Sequence, residues 1–324
     1  MICRRYWIYF SCVVVFCLIV SGCGLFVDRI PQGQIESPTE MDHFTKVENV
    51  NYHYRSYPAD GESIVLLHGF ASSTYTWEDM APRLQAEGYH VWSLDMKGFG
   101  WSDKPRDARY DPVTLMEDVN KWMTVMNLRN VVLVGNSLGG AVTLLMALEH
   151  PERIKKMVLI DAGGYPMKLP LIIRMAHVPL SGSFMKLFFG RWMVRWNLKE
   201  VFYHEDRVTD EKVTAYYNRM CTENALNAQT TVARSVNFDL FDHYIKRVPQ
   251  ITSEALIIWG ENDAWIPLEI GYKFRKDLTT ATMIVIPECG HMPQEEYPQK
   301  TAQYILDFIK GRVVDNVPCP ASEN

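Results

Sequence analysis

The stretch that decides the fold is Val131-Val132-Leu133-Val134-Gly135-Asn136-Ser137-Leu138-Gly139. Its first four residues predict a buried strand, and the Ala- and Leu-rich segment from Leu138 to Glu149 predicts a helix directly after it. Between them lies the pattern G-x-S-x-G, which roughly one chain in ten of this length contains by chance. The strand–turn–helix setting makes the pattern specific, because a nucleophile elbow requires that setting. The sequence therefore predicts Ser137 as a nucleophile, with Gly135 and Gly139 leaving room for strand and helix to approach.

A serine hydroxyl becomes a good nucleophile only when a base takes its proton, so a histidine must reach Ser137. His291 follows the last predicted strand, in the loop before the last helix. That position places it at the same edge of the sheet as Ser137. His68 is the main rival, but it lies in a loop after an early strand, where a buried histidine bonded to backbone is the better interpretation. The sequence therefore predicts His291 as the base.

The base needs an acceptor on its other ring nitrogen, which fixes its tautomer and stabilises the imidazolium. Asp263 lies in Gly260-Glu261-Asn262-Asp263, directly after the penultimate predicted strand. The order Ser137, Asp263, His291 is the chain order expected for a nucleophile on such an elbow. Glu261, its near neighbour, and Asp161, at the end of an earlier strand, remain alternative acids.

Attack on a carbonyl builds negative charge on its oxygen, and each preorganised N–H donor there can lower the barrier by about 3 kcal/mol. Leu138, the residue after the nucleophile, offers one backbone amide. The loop His68-Gly69-Phe70, after the predicted strand Ser63–Leu67, offers a second. The sequence therefore predicts an oxyanion hole made of backbone amides, in which side-chain identity matters less than backbone placement.

The rest of the chain alternates short apolar strands with helices, which predicts an α/β fold with a mostly parallel sheet and helices on both faces. Two short strands are expected between Phe44 and Tyr57. Further strands and helices are expected at Tyr75–Glu87 (helix), Tyr89–Leu94, Leu115–Leu128 (helix), Lys156–Ile160, Ala255–Trp259 and Met283–Ile286. From about Tyr165 to Arg247 the periodicity is helical, which indicates a lid over the carboxyl ends of the strands, where ligands bind in open α/β sheets. The expected division is a core of 41–164 and 248–312, a helical cap of 165–247 and a tail of 313–324.

Several motifs together resemble the α/β-hydrolase fold-1 family over about residues 45 to 310. They are Leu67-His68-Gly69-Phe70, Asp95-Met96-Lys97-Gly98-Phe99-Gly100-Trp101-Ser102-Asp103, Gly135-Asn136-Ser137-Leu138-Gly139-Gly140, Gly260-Glu261-Asn262-Asp263 and Gly290-His291. The resemblance implies an α/β-hydrolase fold, a Ser–His–Asp triad and the Phe70 amide as the second oxyanion donor. It implies no metal and no organic cofactor.

The resemblance also bears on the reaction. The stretch from Asp95 to Asp103 is similar to that of haloalkane dehalogenases, epoxide hydrolases and carbon–carbon bond hydrolases. The first two classes use an aspartate nucleophile, so Ser137 disfavours them. Carbon–carbon bond hydrolases use a serine but usually carry a glycine-rich loop after His-Gly, where this chain has Phe70-Ala71-Ser72-Ser73. We therefore expect hydrolysis of carboxylic esters with medium acyl or lipid-like groups. A carbon–carbon bond hydrolase and a non-catalytic ligand-binding protein of the same fold remain the alternatives.

Composition excludes some partners. The chain has 324 residues, a net charge of −5 and 22% charged residues. Nucleic-acid binders usually carry a basic face or stripe, so no nucleic-acid partner is expected. Three cysteines, Cys221, Cys289 and Cys319, lie outside the first 23 residues. Their spacing matches neither a metal site nor a disulfide framework.

The N-terminus is typical of a secretory signal. Arg4 and Arg5 precede an almost wholly apolar run from Tyr6 to Val20, and small residues follow. Val20-Ser21-Gly22-Cys23 resembles the bacterial lipobox, which implies removal of residues 1–22 and lipidation of Cys23. Residues 23–40 would then be a tether to a membrane of the bacterial cell envelope. A single uncleaved N-terminal transmembrane anchor is the alternative, although the apolar run is short for a span of about 20 residues.

The cap has an unusual charge pattern. Between residues 168 and 199 it carries no Asp or Glu and six basic residues: Lys168, Arg174, Lys186, Arg191, Arg195 and Lys199. Bulky apolar side chains such as Trp192 and Trp196 lie among them. A basic helix with bulky apolar residues can lie in a membrane interface, so a cap that touches the bilayer is one hypothesis. An apolar cap face packed on the pocket, with the basic residues in solvent, explains the same pattern.

Overall fold

The computed structural model describes residues 28–35, 38–178, 186, 188–236 and 238–312. The expected lipidation site Cys23 and the expected tail 313–324 lie outside these residues. Within them, no helix is both long enough and apolar enough to span a membrane.

The described chain contains one eight-stranded sheet with the order β1-β2-β4-β3-β5-β6-β7-β8. The β1–β2 and β2–β4 pairs are antiparallel and the other neighbours are parallel. This confirms the predicted mostly parallel sheet. The strands are β1 (Asp42–Val47), β2 (Val50–Tyr57), β3 (Ser63–Leu67), β4 (His90–Leu94), β5 (Val131–Asn136), β6 (Ile154–Ile160), β7 (Glu254–Gly260) and β8 (Ala281–Ile286).

Helices cover both faces of this sheet, as predicted. Those of the core are α1 (Ala81–Ala86), α2 (Pro112–Val125), α3 (Leu138–Glu149), α9 (Leu268–Asp277), α10 (Pro293–Glu296) and α11 (Pro298–Ile309). Successive side chains of a strand point to opposite faces. On β5, accordingly, Val131 and Leu133 pack with α2, α3 and α9, whereas Val132 and Val134 pack with α1 and α11. The strand that leads to Ser137 is therefore buried on both sides.

One predicted helix is wrong. The segment Tyr75–Glu87 forms a short 3₁₀ helix (Thr74–Trp77) followed by the separate helix α1. Pro82 stands in the first turn of α1. A proline lacks the N–H that a continuing helix would need and its ring clashes with the preceding turn, so it begins a new helix here. The other predicted core strands and helices lie within three residues of the observed ones.

The cap between β6 and β7 is helical in its described residues. It contains α4 (Leu171–Ala176), α5 (Arg191–Val201), α6 (Asp210–Met220), α7 (Ala225–Ser235) and α8 (Phe238–Ile245). Helices α5 and α6 share a hydrophobic cluster that includes Val194, Leu198 and Val213.

Residues 28–35, part of the expected tether, pack against the cap. The Ile30 amide donates to the Cys221 carbonyl over 3.2 Å, and the Glu223 amide donates to the Ile30 carbonyl over 2.8 Å. The Ile30 side chain is buried in the cap cluster. Asp28 accepts a hydrogen bond from the Asn224 amide at the start of α7, over 2.7 Å. The apolar residues Ile30 and Ile35 thus give this stretch a docked position against the cap.

Candidate active site

Ser137 occupies a strained turn between β5 and α3. Its backbone has φ 53° and ψ −114°, a conformation that costs a non-glycine residue on the order of 1–3 kcal/mol. The neighbouring glycines permit the turn because there is no room for a side chain. A Cβ on Gly135 would lie 2.2 Å from the Gly139 carbonyl oxygen, and one on Gly139 would lie 2.1 Å from that of Leu67. The elbow therefore presses three backbone segments together and places the serine at the end of the sheet.

His291 and Asp263 are hydrogen-bonded to each other. Nδ1 of His291 lies 2.6 Å from Oδ2 of Asp263, and both side chains are buried. The second oxygen of Asp263, Oδ1, accepts hydrogen bonds from the amides of Trp265 and Ile266, over 2.7 and 2.9 Å. An acceptor at Nδ1 requires the proton on that nitrogen, which leaves Nε2 as a hydrogen-bond acceptor. Of the alternative acids, Glu261 is exposed, whereas Asp161 lies beside this pair.

Ser137 and His291 line the same cleft, together with Trp265 and Met292. The side-chain amide of Asn136 connects their loops, since it donates to the carbonyl oxygens of both His291 and Ile160 over 3.2 Å. The structure therefore brings together the three residues that the sequence predicts as nucleophile, base and acid.

The predicted oxyanion loop runs beside the nucleophile. A Cβ on Gly69 would lie 3.1 Å from the Ser137 Cβ, which is tighter than most Cβ contacts, so a glycine favours this approach. Within the described residues, the amides of Phe70 and Leu138 donate no hydrogen bond to another group of the chain. Two amides near one serine, with no internal acceptor, are suited to bind a developing oxyanion.

His68 supports this loop from beneath. Its Nδ1 donates to the Gly69 carbonyl oxygen over 2.8 Å, and its Nε2 accepts from the Met96 amide over 3.1 Å. Burial lowers the pKa of the His68 imidazole, which favours the neutral form. His68 is therefore a buried histidine bonded to backbone, as its place in the sequence indicates.

Two glutamates connect the loop that carries His291 (residues 287–292, the histidine loop) to the cap, and sequence reasoning missed both. Oε1 of Glu296 accepts from the Gly290 amide over 2.7 Å, and Oε2 accepts from the amides of Tyr203 and His204 over 3.0 Å. The His291 amide also donates to the Val201 carbonyl at the end of α5, over 2.8 Å.

Glu295 forms a second connection to the cap, through helix α6. It forms an ion pair with Lys212 of α6 and accepts hydrogen bonds from the hydroxyls of Thr76 and Tyr216. Tyr216 in turn contacts Ser72 of the oxyanion loop over 3.3 Å. The only local signal for these roles is an adjacent pair of acids soon after His291.

Two apolar clefts meet at Ser137. The first, about 890 Å³ with its space open to solvent included, runs under the cap between the inner faces of α4, α5, α6 and α7, where Val194, Leu198 and Leu226 are among its lining residues. The second, about 700 Å³ on the same basis, lies between α4 and the core, with Ile173 and Met167 in its wall. Phe70, Ser137 and Trp265 line both. Among the described residues, neither lining contains Lys, Arg, Asp or Glu.

One group of carboxylates and imidazole could present ligands to a metal ion. Asp161, Asp263 and His291 each place one ligand atom within 4.8 Å of the others. Asp263 and His291 are the acid and the base described above, and Asp161 is their neighbour.

Comparison with known proteins gives the same fold. A sequence model of the alpha/beta hydrolase fold matches residues 62–298. An uncharacterized hydrolase, YugF of Bacillus subtilis, is 31% identical over 278 residues, which is 85% of this chain and all of that protein. A 2-hydroxy-6-oxononadienedioate/2-hydroxy-6-oxononatrienedioate hydrolase of Paraburkholderia phymatum is 29% identical and covers 79% of this chain and 90% of its own length.

Among solved structures, a bacterial membrane phospholipase A is 24% identical, with a TM-score of 0.70 over 95% of this chain and 93% of that one. This likeness concerns the fold. The sequence match, the sheet order and the elbow agree with one another, and the chain belongs to the alpha/beta hydrolase fold family.

Proposed function

We propose that this α/β-hydrolase cleaves carboxylic esters with apolar groups through a triad of Ser137, His291 and Asp263. The hydrogen bond between His291 Nδ1 and Asp263 Oδ2, in a cleft shared with a serine on a strained elbow, carries the proposal. A binding protein that only keeps the fold would have no need of an oriented imidazole beside such a serine.

The geometry supports a two-step acyl transfer. Nε2 of His291 takes the proton of the Ser137 hydroxyl as its oxygen attacks the ester carbonyl, and the amides of Phe70 and Leu138 stabilise the oxyanion. His291 then protonates the departing alcohol, which leaves an acyl-serine. In the second step His291 activates a water molecule, which releases the acid and returns the proton to Ser137. Asp263 keeps the imidazole oriented and stabilises its charged form.

The clefts indicate the substrate class. An ester carbonyl at Ser137 can direct its acyl and alcohol parts into the two apolar clefts. Burial of a methylene group contributes about 0.8 kcal/mol, so chain length should strongly affect binding. Neutral esters with medium acyl or lipid-like groups fit this environment better than charged substrates.

A carbon–carbon bond hydrolase is the second candidate, and the relatives favour it. The name of the Paraburkholderia phymatum relative specifies a dioate, a substrate with two carboxylates. A dianion would require cationic partners because burying an unpaired charge is costly. The described lining of this chain offers no Lys or Arg, which supports the ester reaction over this alternative.

Parallel assays separate the candidates. Purified protein is given p-nitrophenyl butyrate and, separately, a 2-hydroxy-6-oxo-dienoate. We expect turnover of the ester and its loss in Ser137→Ala. Turnover of the dienoate alone would support the carbon–carbon reaction, and an absence of turnover with no labelling by a fluorophosphonate would support a binding protein.

We also propose that the protein is a lipoprotein of the bacterial cell envelope, anchored through Cys23, with an uncleaved N-terminal anchor as the alternative. The support is the sequence from Arg4 to Cys23. The mass of the mature N-terminus tests this proposal. An acylated peptide starting at Cys23 is expected, and an intact Met1 would contradict it.

Contact between the cap and the bilayer is a further part of this proposal. Helices α4 and α5 line the first cleft with their inner faces and expose large apolar side chains outward: Leu171, Met175, Trp192 and Trp196. The basic charge contributes less than the sequence suggests. Arg195 pairs with Asp210, and Lys199 pairs with Glu205 over 2.8 Å. The contact we propose is therefore mainly apolar.

Liposome flotation of residues 28–312 tests the cap contact. Because the attraction is apolar, we expect binding to neutral as well as anionic vesicles, and weaker binding for Trp192→Ala with Trp196→Ala. The control is Val125→Ala, an exposed apolar residue of the core. Equal flotation of all three proteins, or none, would contradict the cap contact and leave the ester proposal unaffected.

A further inference from the structure

Asp161 is a buried carboxylic acid next to the triad. It directly follows β6, the strand beside β7, and the loop after β7 carries Asp263. Oδ1 of Asp161 accepts from the Gly260 amide over 2.9 Å. Oδ2 is fully buried and meets no donor in the described part of the chain. Asp161, Asp263 and His291 each place one atom within 4.8 Å of the others, so the Asp161 carboxyl group lies in the triad's immediate surroundings.

Two ionised carboxylates cannot share such a site. Like charges at this separation in a low dielectric repel strongly, so one of the pair retains a proton. Asp263 has three donors, which are Nδ1 of His291 and two backbone amides. Asp161 has one. Because hydrogen bonds stabilise the ionised form, the proton belongs on Asp161, the carboxyl group with fewer donors.

The surroundings of Asp161 support the same assignment. Burial first, and then the charge of Asp263, raise the pKa of Asp161 well above its ordinary value, and Glu296 adds to this. Cys289, on the histidine loop, contributes a neutral thiol, since burial raises its pKa. The charged or titratable groups placed around Asp161 are therefore Asp263, His291, Cys289 and Glu296.

We propose that Asp161 is a positioning residue whose protonated Oδ2 donates a hydrogen bond to the Asp263 carboxylate. The expected effect on kcat rests on the proposed function, whereas the protonation of Asp161 does not. The bond would hold Asp263 with Oδ2 toward His291, and it would satisfy the orphaned oxygen. Because Asp161 is neutral, only one negative charge faces the imidazole, and the base keeps the basicity that one carboxylate confers.

Two substitutions test this role. In Asp161→Asn the amide NH₂ replaces the donor without charge, so kcat/KM and its acid-limb pKa are expected to stay close to wild type. In Asp161→Ala the donor is lost, and we expect kcat to fall about 10- to 100-fold with little change in KM, because the misplacement of a catalytic group by about 1 Å has that effect. If Asp161 were ionised, Asp161→Asn would remove a negative charge and lower the acid-limb pKa clearly. That result would overturn the proposal.

A spectroscopic measurement avoids dependence on activity. The infrared difference spectrum of wild type minus Asp161→Asn at neutral pH is expected to contain the carbonyl stretch of a protonated carboxylic acid, shifted in D₂O. Its absence, with both proteins folded, would refute the proton on Asp161. Loss of activity on chelation that a divalent ion restores would also overturn the proposal, since a metal ion would then join the two carboxylates. If the protein does not hydrolyse esters, the infrared spectrum still shows whether Asp161 is protonated.

Discussion

At the carboxyl end of the sheet, backbone segments approach so closely that a Cβ on Gly139 would lie 2.1 Å from the Leu67 carbonyl oxygen. The cap presents a contrast, because its helices leave Trp192 59% and Trp196 43% exposed. The first region is fixed by close backbone packing and holds the proposed triad. The second is held at its border by Glu295, Glu296 and the His291 amide, and it forms most of the first cleft. We therefore expect the sheet edge to provide the chemistry and the cap to provide the selectivity.

The largest effect is expected at the sheet edge. In His291→Gln no base remains for the Ser137 hydroxyl, and kcat should fall about 10⁴-fold or more, as it does in other serine hydrolases that lose this residue. Rates of ester hydrolysis at neutral pH measure this fall in kcat. His43→Gln, an exposed histidine on β1, is the matched control and should retain wild-type activity. Substantial activity in His291→Gln would mean that another group is the base.

Substitution at the border between the regions should have an intermediate effect. In Glu296→Ala the amides of Gly290, Tyr203 and His204 lose their acceptor. Each buried unsatisfied donor costs about 1–3 kcal/mol, so we expect both a lower Tm and a kcat reduced about 10- to 100-fold as His291 loses its position.

The control for Glu296→Ala is Glu261→Ala. Glu261 is exposed on the loop of Asp263, so this variant should match wild type in Tm and kcat. A wild-type kcat in Glu296→Ala would show that the histidine loop does not depend on the cap.

Some features could be predicted from the sequence because they are local. The elbow depends on Gly135 and Gly139 within five consecutive residues, and the positions of Asp263 and His291 follow from strand ends and chain order. The roles of Asp161 and Glu296 could not be predicted, because they depend on distances between separate strand-end loops and on burial. The packing of Ile30 against the cap could not be predicted either, because it depends on how the cap helices are arranged. Pro82, in contrast, was a local signal for a break between two helices.

Substitutions in the cap should change selectivity more than rate. Val194→Trp fills the first cleft and Ile173→Trp fills the second. Each should reduce kcat/KM about 10- to 200-fold for esters too long for the filled cleft and leave short esters little changed. Varying the acyl chain and the alcohol chain separately identifies which cleft holds which part. Equal losses for short and long esters in both variants would contradict the assignment of selectivity to these clefts.

The smallest effect concerns stability and pH. Because the folded state raises the pKa of Asp161, it holds a proton that the unfolded chain releases above about pH 4. The contribution of Asp161 to stability therefore decreases as pH rises from about 4 toward its folded pKa, by at most about 1.4 kcal/mol per pH unit. Urea unfolding between pH 5 and 8 should show Asp161→Asn gaining stability relative to wild type with rising pH. A constant difference would indicate that Asp161 does not bind a proton in this range.

Covalent labelling tests the catalytic arrangement most directly. Wild-type protein treated with a fluorophosphonate should gain one phosphonyl group, and mass spectrometry of its peptides should place that group on Ser137. His291→Gln should label far more slowly, because the serine needs the base. A wild-type protein that stays unlabelled, or one labelled at another residue, would contradict the assignment of Ser137 as the nucleophile.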